Sequence, residues 1–368
     1  MKPKLLCILH RSPPGHGAAK VGDLIASSQS LKNTFDCYFI TIKSSDTIGE
    51  IGKVSVKKLF FVVELYCKVF LALLLFRPDK IYFTASIKSV AFYRDLLLST
   101  LWKGYKYFAS CDVFYHYHTK GIDQFVTDSD VNLRLTQFFV RDVNIILLSS
   151  LLTKDFDKVN TIRDFYYLSN GVEDGLSDSS FLKLIGSKYK KVEPLKVLYL
   201  SNMIKSKGYF HVLELAKSTE DGLVEYHFAG GWQNSEDEKE FFRYIRQHEL
   251  TDFVTFHGFV NGDEKAKLFK SSHVFIFPTR YENEAFPLSI LEALSFGLPV
   301  ISTDEGSIPF MLDSKSGIVL QDVNELPEAL EEARRSLINE ETSIYCRSRF
   351  SDNFSLSKFE SSLVEVLS

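Results

Sequence analysis

Short apolar runs of four to six residues alternate with longer stretches of helical spacing along almost the whole chain. Before residue 170 the runs KLLCIL, DCYFIT, KIYFT, VFYHYH, NIILLS and FYYLS have the length and composition of buried strands. After residue 195 the pattern repeats with KVLYLS, EYHFAG, VTFHG, HVFIFP, PVIS and GIVL. Intervening segments such as AAKVGDLIASSQSLK and KGYFHVLELAKS place their apolar residues at helical intervals. Two series of this kind predict an α/β protein with two doubly wound, Rossmann-like domains, each on a parallel sheet. The expected divisions are an N-terminal domain over 1–172, a linker over 173–194, a C-terminal domain over 195–350 and a last helical segment over 351–368. Ligands of such sheets bind at the carboxyl ends of the strands, so a cleft between two facing domains is the expected site.

One apolar stretch needs separate treatment. LFFVVELYCKVFLALLLF, from Leu59 to Phe76, is 18 residues long, at the lower edge of a membrane span. Glu64 and Lys68 sit four apart in its middle, an arrangement for a water-facing pair. The stretch therefore reads as a largely buried helix whose exposed edge can touch a bilayer.

Length supports two domains, because 368 residues exceed one ordinary core. Cys7, Cys37, Cys67, Cys111 and Cys346 are scattered without a close pair or zinc-like spacing, which points to a reducing compartment. MKPKLLCILHRSPPG reads as a first strand rather than a signal peptide. The net charge of −4 conceals an asymmetry. Residues 1–110 hold 16 Lys and Arg against 7 Asp and Glu, and the remainder holds 27 against 40. A basic N-terminal part fits an anionic lipid, a polyphosphate or plain solvated surface. No recognisable nucleic-acid motif accompanies it, which sets that class aside.

Candidate chemistry concentrates in YENEAFPLSILEALSFGLPVIS, Tyr281 to Ser302. Pro287 suits a helix start, and Gly297 with Pro299 reads as a stop, so a helix runs from about Leu288 to Phe296. Glu284 precedes it and Glu292 lies inside it. The free N–H groups at its start make an anion site between the two carboxylates. A nucleotide-sugar, with its phosphates between two hydroxyl-bearing sugars, has the matching shape; solvated or capping glutamates are the plain alternative.

Other segments are weaker alone. HRSPPGHGAAKVG carries Gly15 and Gly17 at a strand-to-helix turn, but Lys20 stands at the third glycine position of a dinucleotide fingerprint. YHYHTKG puts His116 and His118 on one face at the end of a strand. LSNMIKSKG brings Lys205 and Lys207 to a helix start, where they can neutralise a pyrophosphate or simply be solvated. Asp128–Asp130 and Asp155–Asp157 read as helix caps rather than metal ligands.

Together these segments resemble the retaining glycosyltransferases of family 4, which have the GT-B fold. The likeness is strongest in FPTRYENEAFPLSILEALSFGLPVIS, similar to that family's Glu–seven residues–Glu signature. NGV (Asn170 to Val172), the Lys207–Gly208 pair and HGFV (His257 to Val260) follow in family order. PPGHGAA and YHYHTKG resemble forms in bacterial enzymes that assemble O-antigen and capsule. The resemblance implies that Glu284 contacts hydroxyls of the transferred sugar and Glu292 the ribose. It implies that the backbone at Ala285, Phe286 and Leu288 holds phosphate and sugar, and that Phe259 and Val260 lie near the base. Lys207 would stabilise the leaving diphosphate, and Gly17 would let its loop close over it. His118 would stand near the reacting centre, with His116 and His16 on the acceptor side. The last helix would cross back to the first domain. Many family members have arginine where Asn202 stands here, so Asn202 and Lys205 become candidates for that place. The implied reaction moves a hexosyl or N-acetylhexosaminyl group from a nucleoside diphosphate sugar to a saccharide, expected to be lipid-linked, with retention and with no metal or cofactor. The expected location is cytoplasmic, against the inner face of the membrane. A nucleotide-sugar epimerase of the same fold and a non-catalytic sugar-binding protein are the rival readings.

Overall fold

The computed structural model describes residues 2–12, 17–42, 56–190, 193–219 and 222–368. It divides into two units, Met1–Asn170 with Phe359–Ser368, and Gly171–Lys358.

Unit 1 is built on six strands, β1 (Lys4–His10), β2 (Asp36–Ile42), β3 (Lys80–Thr84), β4 (Asp112–His116), β5 (Asn144–Leu147) and β6 (Asp164–Tyr167). All pair in parallel, in the order β2-β1-β3-β4-β5-β6. A central parallel strand is covered on both faces, which is why Leu5 to Leu9 form an unbroken apolar run and are all buried. Beside the sheet, Trp102 packs with Phe83 and Tyr115, and its Nε1 donates to the Tyr115 hydroxyl at 2.8 Å.

The long apolar stretch forms a helix, Val56–Leu75. Leu65, Val69, Ala72 and Leu73 recur at helical spacing and are buried, while Lys68 Nζ meets Glu64 at 2.6 Å on the solvent side. Val63, Phe70, Leu71, Leu74 and Leu75 of the same helix are exposed. Among the described residues no helix is long and apolar enough to cross a membrane. The segment AAKVGDLIASSQSLK is two helices, Gly17–Ser27 and Gln29–Thr34, because the Ser28 hydroxyl caps the second by accepting from Leu31 N.

Unit 2 carries β7 (Leu195–Leu200), β8 (Val224–Ala229), β9 (Val254–Phe256), β10 (Val274–Phe277), β11 (Val300–Thr303) and β12 (Gly317–Leu320). These are also all parallel, in the order β12-β11-β10-β7-β8-β9. In each sheet the chain grows outward on one side and then returns to the other, between β1 and β3 in unit 1 and between β7 and β10 in unit 2. Crossover loops part at such a reversal, leaving a crevice at the carboxyl ends of the two strands.

Two divisions differ from the expected ones. Segment 173–194 is not a bare linker: it contains the helix Asp178–Lys188 and belongs to unit 2. Its anchor is Arg347, 5% exposed, which donates to Asp174 at 2.6 and 2.5 Å, to Leu176 O at 2.7 Å and to Asp178 at 3.1 Å. The polar sequence conceals this, because its partner lies some 170 residues away. The last helix, Leu356–Leu367, is shared: residues from Phe359 onward cluster with unit 1, where Lys80 Nζ donates to Ser368 O at 3.0 Å.

Candidate functional site

At the β7/β10 reversal of unit 2, Lys207 and Glu284 meet. Lys207 ends the short turn Lys205–Lys207 after β7. Glu284 lies in the loop after β10, where its N–H donates to Tyr281 O at 2.8 Å. Lys207 Nζ donates to Glu284 Oε2 at 2.8 Å, with side chains 16% and 10% exposed. The ammonium also stands over the rings of Tyr281, at 5.1 Å, and Phe277, at 5.7 Å. The loops are tied together by Arg280 N, which donates to Ser206 O at 2.7 Å.

The turn after β11 closes on the same place. Ser307 N donates to Ala285 O at 2.9 Å. Gly306 has φ +55°, and a Cβ there would stand 2.2 Å from Glu284 O, so the close approach admits only glycine. Helix Leu288–Ser295 then begins after Pro287 without a side-chain cap. Ile290 N donates to Pro287 O at 3.2 Å, and the N–H groups of Leu288 and Ser289, at the positive end of the helix dipole, follow directly on Ala285 and Phe286, both buried.

Glu292 sits further along this helix, and Lys265 Nζ donates to its Oε1 at 2.6 Å. Each signature carboxylate thus has its own lysine. Lys265, on helix Gly262–Ser271, is a partner that the sequence does not disclose, since no spacing links it to Glu292. Phe259 is 72% exposed after β9 and lies beside Gly231, with Val260 half-buried next to it. Asn202 is exposed after β7. Lys205 is engaged elsewhere: its Nζ meets Glu240 at 2.6 Å and Asp237 at 3.8 Å, on the acidic helix Ser235–Gln247. Those two carboxylates draw it away from the expected role as a substitute for arginine.

In unit 1 the corresponding reversal lies between β1, whose end leads toward Gly17, and β3, and the next strand, β4, leads into His118. Gly17 opens its helix, exposed, with open space around the position a Cβ would take. His16, together with Gly15, lies outside the described residues. The glycine that brings this helix onto the sheet is Gly22, where a Cβ would stand 1.9 Å from His10 O, rather than position 20.

His116 is fully buried and its ring lies 4.0 Å from that of His118, centroid to centroid. Burial, with His118 beside it, holds the His116 imidazole well below its ordinary value. Burial holds the Tyr82 phenol well above its own. Both groups are therefore neutral, and they share a 2.5 Å hydrogen bond between the Tyr82 hydroxyl and His116 Nδ1. His116 is buried against Tyr82 rather than presented to an acceptor, which corrects its expected place. Strand period two could have found Tyr82, because Tyr82 and Thr84 share a face and Thr84 pairs with His116.

The paired aspartates divide. Ser129 caps helix Asp130–Val140 by accepting from Val131 N at 3.1 Å. Asp155 heads no helix of its own; its carboxylate accepts from the N–H groups of Gly121, Ile122 and Asp123, at 2.8 to 3.0 Å, and so caps helix Ile122–Thr127.

Residues 183–353 match the family model described as glycosyl transferases group 1. An uncharacterized 41.2 kDa protein in the cps region of Klebsiella pneumoniae is 24% identical over 52% of this chain and 51% of its own length. The O-antigen chain mannosyltransferase C of Escherichia coli is 34% identical over 29% of each chain. The chain spans about half the length, or less, of the curated relatives it matches. Among solved structures, Anabaena HepE in complex with UDP and glucose is similar over 99% of both chains, with a TM-score of 0.68 at 16% identity, a likeness of fold.

Proposed function

We infer that this chain, a glycosyl transferases group 1 protein through its residues 183–353, transfers a sugar from a nucleoside diphosphate donor to a saccharide of a surface polysaccharide. The observation that carries the reading is the Lys207–Glu284 pair at the β7/β10 reversal, directly before the uncapped start of helix Leu288–Ser295. A donor seated there places its diphosphate against cationic and N–H groups. Charge developing on the leaving diphosphate is met by Lys207 and by the helix start, without reorganisation at the moment of bond breaking. Glu284 then turns to hydroxyls of the transferred sugar. Glu292, oriented by Lys265, faces the ribose.

The finer reading is a metal-independent, retaining transfer of the family 4 kind, with attack on the face the diphosphate leaves. The relatives named for a cps region and an O-antigen chain support a glycan acceptor. A lipid-linked acceptor is supported by an apolar surface of unit 1. Helices Val56–Leu75 and Ser89–Tyr105 pack on each other and expose Phe70, Leu74, Tyr93 and Leu97. Tyr107 and Phe108 follow at 86% and 91% exposure. With 16 cationic against 7 anionic side chains in residues 1–110, the partner that suits this surface is an anionic bilayer, and a nucleotide-sugar is the donor.

The test is donor turnover with a panel of nucleotide-sugars and a lipid-linked saccharide. Glu284→Gln should lower turnover roughly a hundredfold, and EDTA should leave it unchanged. Product NMR should show the donor's anomeric configuration. Near-normal turnover by Glu284→Gln would remove its role, and isomerised donor without acceptor would mean epimerisation instead.

A further inference from the structure

At the opposite, amino-terminal ends of β7 and β10 lies a cavity of about 390 Å³ whose lining includes Lys188, Glu193, Lys196, Lys270 and His273. It is formed entirely by unit 2, away from the loops that carry Lys207 and Glu284. Lys188 ends helix Asp178–Lys188, and its Nζ is buried with no hydrogen-bond partner among the described residues. It stands over the ring of Tyr189, at 5.9 Å. A buried ammonium without a partner is a costly arrangement unless something polar completes it.

The surrounding charges favour an anion. Glu193, the carboxylate of the lining, is taken by Arg334 at 3.0 Å. Lys196 meets Glu225 at 3.2 Å with its side chain a third exposed. His273 cannot serve as an acceptor, because its Nδ1 already accepts from Lys196 N at 2.9 Å. We propose that this cavity is a second ligand site for a phosphate-type dianion, free or as a phosphomonoester, with Lys188 as its buried donor and Lys196 and Lys270 at its rim.

Proton linkage gives the site a signature. Burial brings the Lys188 amine down to about 7. The groups around it are Tyr189, pushed up to about 12, His273, brought down to about 4, and the charged Glu193, Lys196 and Lys270. None of the first two titrates near pH 8. A dianion beside Lys188 favours its charged form, so binding at pH 8 should take up a proton, and affinity should fall as pH rises past 7.

Isothermal titration of the full chain with inorganic phosphate, and in a second arm with methyl phosphate, tests this at pH 8 in two buffers of different ionisation heat. The expected result is saturable binding with proton uptake, weakened roughly tenfold or more in Lys188→Met and in Lys270→Glu, and kept in Lys207→Ala. Lys188→Met replaces a buried, unpartnered amine with an apolar side chain and should melt no lower than the parent, so a loss of binding would not reflect unfolding. Tighter binding of methyl phosphate marks the phosphomonoester as the ligand, and equal binding marks the free ion. Heat that vanishes in Lys207→Ala but persists in Lys188→Met, or no saturation with either probe, would overturn the second site.

Discussion

Glu284 is 8% exposed and faces one ammonium, so neither member of the pair can be altered without leaving a charge behind. Lys207→Ala should lower unfolding free energy by roughly 3 kcal/mol, because the carboxylate stays buried and uncompensated. Adding Glu284→Gln to it should recover much of that loss, and a double-mutant cycle in urea reads the difference. Additive losses would show that the two side chains do not interact in solution. His273 sets a pH dependence at the same scale. Burial, then Lys188 and Lys196, hold it at about 4 against an ordinary 6.5. The unfolded chain therefore binds its proton first as pH falls, so stability present above 6.5 declines through the window from 6.5 to 4. The contribution is on the order of 3 kcal/mol at full effect. His273→Asn should flatten the acid limb of a stability–pH curve, and an unchanged limb would assign it to other groups.

The elements were largely legible because their burial repeats at short range. β1 and β10 are covered on both faces, and LLCIL and VFIF are accordingly unbroken apolar runs. The helix over Leu288–Ser295 is bounded by Pro287 and Gly297, residues that carry their own backbone constraints. Pairings across long separations were not legible: Lys265 with Glu292 and Arg347 with Asp174 depend on which elements the fold stacks together. Arg347 shows what such a pairing does. It also donates to Ser295 O at 2.7 Å, joining the end of the signature helix to segment 173–194. Arg347→Met should lower stability by roughly 3 kcal/mol and release that segment to proteolysis. Limited digestion that finds no new cut between 173 and 194 would place the anchor elsewhere.

At the scale of the whole molecule, charge and exposed apolar surface coincide in unit 1. Sedimentation with vesicles should show binding to phosphatidylglycerol and little to phosphatidylcholine, because the cationic excess needs anionic headgroups. Phe108→Glu together with Leu75→Glu should weaken it about tenfold or more, since each removes an exposed apolar side chain and adds repulsion. Equal binding to neutral vesicles would mean that the asymmetry of charge has no part in docking. The asymmetry itself was legible by counting. The exposed apolar surface was not, because it takes the packing of two helices to show which of their apolar residues stay outside.

The division of the last helix has a consequence for synthesis. Phe359, Leu363 and Leu367 are buried and belong with unit 1, yet the ribosome reaches them only after all of Gly171–Lys358. At about 5–20 residues per second, the first unit waits about 10–40 s for its final segment. During that interval the nascent chain offers an apolar seat with no occupant, and it is then that a chaperone or an aggregating neighbour competes with the chain's own end.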